Sequence, residues 1–217
     1  MEEIKTTYIY HSGFLVEILD YILIFDYYKP PKDRAKFLDE IFSLKQNREK
    51  KIIFFSSHSH YDHFNPEILE WSKKNKNISY ILSSDIYEEN KIEIKDIYFS
   101  MKENEELDFN KDIKVYSFGS TDLGVSFLVK VKNHVLFHAG DLNWWNWGEE
   151  DTEEESKDME NKFKSIVSDI KKVSENLGGI EVAFFPVDPR LGKYQHDGAN
   201  YFSQIIHPKV LIPMHYE

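Results

Sequence analysis

The sequence contains no cysteine in its 217 residues. That absence excludes disulfides, thiolate metal ligands, a thiol nucleophile and cysteine-held iron–sulfur clusters. Basic residues are also scarce: 27 lysines and arginines face 38 acids, for a formal charge of −11. A surface of that sign repels phosphate backbones and anionic lipid, so neither a nucleic-acid partner nor a membrane is expected. A small phosphate ester stays open as a substrate, because local charge decides chemistry in a pocket. No apolar run approaches the ~20 residues that span a bilayer. The start of the chain, residues 1–10, carries Glu2 and Glu3 and lacks the basic and then apolar pattern of a signal peptide. The cytosol is the expected compartment.

What is present suffices for a core, with 41% hydrophobic and 15% aromatic residues. Nothing in the middle reads as a linker, so one domain over 1–217 is expected. Short β-rich runs at 7–10, 14–19 and 21–25, broken by turn residues, read as a meander. After Pro30-Pro31 a helix is expected, with Phe37, Leu38, Ile41, Phe42 and Leu44 near helical spacing. Residues 51–57 form a continuous apolar run of strand length, as in a strand buried on both faces. Asn65 and Pro66 then suit the N-cap and first turn of a helix carrying Ile68, Leu69 and Trp71. Strands follow at 78–83, 97–99, 113–118, 125–131 and 135–138. An acidic run at 149–160 opens a helix with Phe163, Ile166, Val167, Ile170 and Val173 on one face, stopped by Gly178-Gly179. A strand at 180–187, a short helix at 198–206 and a strand at 210–213 complete the chain. Each half starts with a meander and ends in alternating units, which predicts two similar halves with sheets inside and helices outside.

The strongest chemical signal is His58-Ser59-His60-Tyr61-Asp62-His63, in the loop between the buried strand and the next helix. Neutral imidazole and carboxylate are ligand types suited to zinc and its neighbours. In an extended loop His58 and His60 point the same way and can grip one ion. Asp62 and His63 follow the turn and can grip a second. Asp141 ends an apolar strand, where a buried carboxylate needs a cationic partner.

A His-x-His-x-Asp-His motif after an apolar strand resembles the metal signature of the metallo-β-lactamase superfamily. The likeness continues along the chain. His11-Ser12-Gly13-Phe14-Leu15-Val16-Glu17, followed by Ile22-Leu23-Ile24-Phe25-Asp26, is similar to the opening hairpins of its ascorbate-6-phosphate lactonase-like branch. Phe137-His138-Ala139-Gly140-Asp141 and Ile212-Pro213-Met214-His215-Tyr216 resemble the family's later motifs. The resemblance implies an α/β (α+β) fold: a four-layer αββα sandwich of two mixed β-sheets flanked by helices. It also implies a binuclear centre, with His58 and His60 on one metal, Asp62, His63 and His215 on the other, and Asp141 bridging. The family's third histidine for the first metal is missing, since 118–124 reads Phe-Gly-Ser-Thr-Asp-Leu-Gly. Asp122 or a water would replace it, which opens manganese or iron beside zinc, and one occupied site beside two.

Around these ligands, Asp26 is expected to orient a ligand histidine, and His11 is a further candidate near the metals. Trp144, Trp145, Arg190 and His196 are candidates for holding substrate, with capping of the core edge an equal reading for the tryptophans. The expected function is hydrolysis of an ester, lactone, amide or phosphodiester bond in a small molecule by a metal-activated hydroxide, with Asp62 taking its proton. The alternative is a non-catalytic metal- or ligand-binding protein. Di-iron oxidation on the same fold ranks last.

Overall fold

Turn placement decides the first sheet. The computed structural model describes residues 3–90, 92 and 96–216; Met1 and Glu2, used above in reading the start of the chain, lie outside them. The chain divides into two compact units, Met1–Met101 and Lys102–Tyr216. In the first, β1 (Ile4–Tyr10), β2 (Gly13–Ile18) and β3 (Tyr21–Phe25) form the expected antiparallel meander. Its two tight turns place His11 and Leu19 at φ 54° and 51°, left-handed conformations that non-glycine residues adopt at a cost. Strands β4 (Lys51–Ser56), β5 (Ile78–Ser83) and β6 (Tyr98–Met101) then add in parallel, giving the order β1-β2-β3-β4-β5-β6.

Strand β3 is buried throughout and β4 is buried from Ile52 onward, which is why these segments read as continuous apolar runs. Alternate residues Ile22, Ile24, Ile52, Phe54, Tyr80 and Leu82 form one core cluster with Phe37, Leu38, Ile68 and Ile86. The latter four come from helices α1 (Phe37–Ser43), α2 (Ile68–Trp71) and α3 (Ser84–Asn90). Each such side chain contributes roughly 1.5–3 kcal/mol on burial. Helix α2 is a single turn. Asn65 does not cap it directly; its Oδ1 accepts the Glu67 N–H at 2.9 Å, one step earlier. Helix α3 was not expected.

The second unit repeats the plan. Strands β7 (Glu106–Asp108), β8 (Ile113–Phe118), β9 (Ser126–Val131) and β10 (His134–His138) are antiparallel, and β11 (Val182–Pro186) and β12 (Val210–Met214) join β10 in parallel. Helix α4 (Glu153–Asn176) starts in the acidic run with a capping box in which Thr152 and Glu155 satisfy each other's backbone N–H. It buries Phe163, Val167, Ile170 and Ser174 along one face. Helix α5 (Asp197–Ile206) places Phe202 against Phe137 and Phe185, with ring centroids 5.0 and 4.7 Å apart. The chain is therefore built from two mixed six-stranded sheets with helices. No helix among the described residues is long and apolar enough to cross a membrane.

Candidate metal centre

Parallel strands deliver their carboxyl ends, and the loops that follow, to one edge of a sheet. In the first unit β3, β4 and β5 run parallel. Asp26, the 58–63 loop and Asp85 therefore follow their ends at a common edge. Because Phe14 pairs with Phe25, the turn that carries His11 lies at that edge too.

The hydrogen bonds at this edge fix how the imidazoles face. Asp26 is 1% exposed, and its φ is 42°. Its carboxylate accepts the Ser57 N–H at 2.8 Å, the Ser57 hydroxyl at 2.7 Å and His63 Nδ1 at 2.7 Å. An acceptor of that kind puts the His63 proton on Nδ1 and the lone pair on Nε2, the tautomer a metal ligand needs. Ser57 gives its one proton to Asp26, so it accepts from His58 Nδ1 at 2.9 Å. The lone pair of His58 is then also on Nε2. That atom lies 3.0 Å from His60 Nδ1, close to the ~3.3 Å between neighbouring nitrogens on a tetrahedral ion with 2.0–2.1 Å bonds. The ligand atoms of His11, Asp62 and His63 lie within 4.8 Å of one another, with His11 Nε2 3.6 Å from Asp62 Oδ2. Asp85, which sequence reasoning missed, accepts the Ser59 N–H at 2.7 Å and pins the loop.

The second unit uses the same device. Strands β10, β11 and β12 are parallel, and Asp141, Asp188 and His215 follow their ends. His215, with φ 64°, has Nδ1 3.0 Å from Asp188 Oδ2 and Nε2 3.4 Å from Asp141 Oδ1. Burial alone would raise the Asp188 carboxyl, but hydrogen bonds and charge from Arg190, with the nearby His215, hold it below the usual carboxylate range. Arg190 spends its Nε and one terminal nitrogen on Asp188, so much of its hydrogen-bonding capacity goes to this ion pair. Asp188 is the orienting residue that the sequence reading passed over in favour of its neighbour Arg190.

Asp122 and Asp141 place carboxylate oxygens within 4.8 Å of each other. Thr121 brings their loops together: its Oγ1 donates to Asn143 O at 2.6 Å and accepts from Asn143 N at 3.0 Å. Two carboxylates this close together suit a cation placed between them. A cavity of about 270 Å³ opens here, walled by Asp122 and Asp141 and by Trp145, Trp147, Met159 and Arg190. Trp145 Nε1 donates to Asp141 O at 3.0 Å, and the Trp145 and Trp147 rings are parallel within 9° at 6.2 Å. Trp144 turns instead to Phe163 and Tyr201, at the core edge. His196 is exposed at the start of α5, outside the cavity wall. His138 is fully buried, and its Nδ1 accepts the Gly140 N–H at 3.2 Å, bracing the turn before Asp141.

The donors are imidazole nitrogens and carboxylate oxygens, oriented by buried partners, and they fit a divalent transition metal. No protein-family model matches the sequence, and no curated protein matches it. Solved structures do. Igni18, a metallo hydrolase from Ignicoccus hospitalis, superposes with a TM-score of 0.66 at 17% identity, over 99% of this chain and 83% of that one. The metallo-β-lactamase fold protein YhfI from Bacillus subtilis gives 0.57 at 13%, over 95% and 78%. The chain has the metallo-β-lactamase fold. That fold also houses CmlA, a diiron β-hydroxylase from Streptomyces venezuelae, with a TM-score of 0.62 at 11% identity over 99% of this chain and 45% of that one. Within the metallo-β-lactamase fold, function must therefore be argued from the site.

Proposed function

We propose that the chain is a cytosolic metal-dependent hydrolase of small molecules whose two units work as one domain. The observation that carries this reading is the matched pair of buried carboxylate–imidazole contacts, Asp26 on His63 and Asp188 on His215. Metal-ligating histidines almost always donate their other ring N–H to a partner of this kind, which fixes the tautomer. Following the sequence resemblance, His58 and His60 would hold one ion, Asp62, His63 and His215 a second, and Asp141 would bridge. Asp122 stands in for the absent third histidine. Zinc is the first choice, with manganese or iron favoured to the extent that Asp122 hardens the first site.

The metals would supply Lewis acidity and a water of lowered pKa. Asp62 takes the proton of the attacking water. Trp145, Trp147 and Met159 offer an apolar wall for part of the substrate, with Arg190 at its rim. The bond cleaved is an ester, lactone, amide or phosphodiester; the likeness to the lactonase-like branch is one of sequence motifs alone.

Elemental analysis of wild type and Asp122→Ala, with hydrolysis of chromogenic phosphodiesters, lactones and esters in added zinc or manganese, tests this. Near two metal equivalents with turnover that Asp62→Ala abolishes supports it. Bound metal without turnover across the panel favours a non-catalytic binding protein. No metal after reconstitution removes the proposal.

A further inference from the structure

The first unit holds another cavity, of about 770 Å³, walled by Tyr8, Tyr10, Lys29, Pro30, Pro31 and Lys32. Its volume is within the range of small-molecule sites. Its chemistry runs against that of the chain, which has a formal charge of −11. Many lysines elsewhere meet a carboxylate, as Lys5 and Lys50 do on Glu17. Lys29 and Lys32 have no carboxylate partner among the described residues. The Lys29 ammonium lies 3.8 Å from the centre of the Tyr10 ring and 4.9 Å from that of Tyr28. Ring faces hold an ammonium in place without neutralising it. Pro30 and Pro31 fix their own backbone φ, so this wall loses little freedom when a ligand enters.

The groove is also connected to the metal motif. The Tyr10 ring lies 6.0 Å from Tyr28, and Tyr28 lies 5.6 Å from Tyr61 in an edge-on contact. Tyr61 sits within the 58–63 loop and is 73% exposed. A large aromatic left so open, beside candidate ligands, offers a face on which a flat ring can stack. The cations lie at one end of this tyrosine ladder and the metal motif at the other.

We propose that the groove and ladder form a recognition site for a small anionic molecule bearing a planar ring, with the phosphate or carboxylate at Lys29 and Lys32 and the ring on Tyr61. That this molecule is the substrate rests on the hydrolase reading; the binding itself does not. Both lysines are point charges that suit either anion. A nucleic-acid strand is disfavoured by the net charge.

The test is calorimetric titration of the purified protein with phenylphosphonate, methylphosphonate and benzyl alcohol, which present both features, the anion alone and the ring alone. Phenylphosphonate should bind about tenfold or more tighter than either half-probe, as expected when charge and stacking act together. Lys29→Gln with Lys32→Gln should lose about tenfold in phenylphosphonate affinity, with Lys29→Arg restoring most of it. Tyr61→Ala should bring phenylphosphonate down to the level of methylphosphonate. Asp62→Ala should bind phenylphosphonate as wild type does. Equal affinity in wild type and the double lysine variant overturns the proposal. So does a loss confined to Asp62→Ala, which would place the anion at the metal motif. Metal content and turnover are read separately, so a protein that binds phenylphosphonate here but holds no metal would sink the hydrolase reading and leave this site standing.

Discussion

Asp26 and His63 form a buried carboxylate–imidazole contact of 2.7 Å in which neither side chain is more than 1% exposed. The carboxylate gains three hydrogen bonds there, and the imidazole gains a fixed tautomer. Asp26→Ala removes the acceptor that faces Nδ1, so His63 can rotate and change tautomer. The expected loss is about 10–100-fold in metal affinity, read by competition with a chelating dye. A zinc affinity within twofold of wild type would mean that Asp26 serves the fold alone. Asp26→Asn separates the roles, because its amide oxygen can still accept from Ser57 while its NH₂ cannot accept from His63.

Asp122 and Asp141 make the opposite kind of pair, two acids within 4.8 Å. A cation held between them would gain from both charges. Asp122→Ala should therefore lower the gain in thermal midpoint on adding zinc to chelator-treated protein. The gain is read from melting curves with and without zinc. A gain equal to that of wild type would mean that Asp122 does not contribute to holding the ion.

The 58–63 motif stands out in the sequence because its residues are local: three histidines and an aspartate after a buried strand, within six residues. The two similar halves were legible for a similar reason, since the meanders and apolar runs repeat in each half, while the mixed character of the sheets followed from the family resemblance. Asp188 was not. Its role depends on β11 and β12 lying in parallel, which brings residue 188 to residue 215 across a helix, and an Asp-Pro-Arg sequence by itself reads as a turn. The tryptophans show the same limit. Trp144, Trp145 and Trp147 lie within four residues of one another, but only the packing against Phe163 and Tyr201 separates Trp144 from the cavity-lining Trp145 and Trp147. Helix α3 was missed because Ser84–Asn90 starts directly from β5, with no loop residues to signal the change.

Gly198 lies where α5 meets the loop carrying Asp141. A Cβ at this position would stand 2.0 Å from Asn143 Oδ1 and 2.9 Å from the Trp144 backbone nitrogen. Gly198→Ala must therefore displace the loop, at a cost of about 1–3 kcal/mol for overpacking. Adding Asn143→Ala removes the nearer clash but not the backbone one. Thermal melts should show a destabilised single variant that recovers partly, not fully, in the double variant. A single variant as stable as wild type would show that the loop yields freely.

The pH dependence of stability has a source far from the metal motif. Glu17 on β2 bonds to Lys5 on the neighbouring strand at 2.7 Å and to Lys50, just before β4, at 3.3 Å. Burial alone would raise its carboxyl, but the two ammonium groups outweigh this and leave it below its ordinary value. A folded-state value lower than the unfolded one means that ionised Glu17 favours the fold. That contribution is complete above the unfolded carboxylate range and is lost as pH falls through the depressed folded value. Glu17→Gln should cost about 1 kcal/mol at pH 7, a figure discounted because Lys5 is largely solvated. Urea melts of both proteins from pH 7 to pH 3 check the sign. The gap should hold through pH 6 and close towards pH 3, because wild type loses a contribution the variant never had. A gap that widens on acidification would mean that protonated Glu17 is the better-held form and that burial, not the lysines, sets its titration.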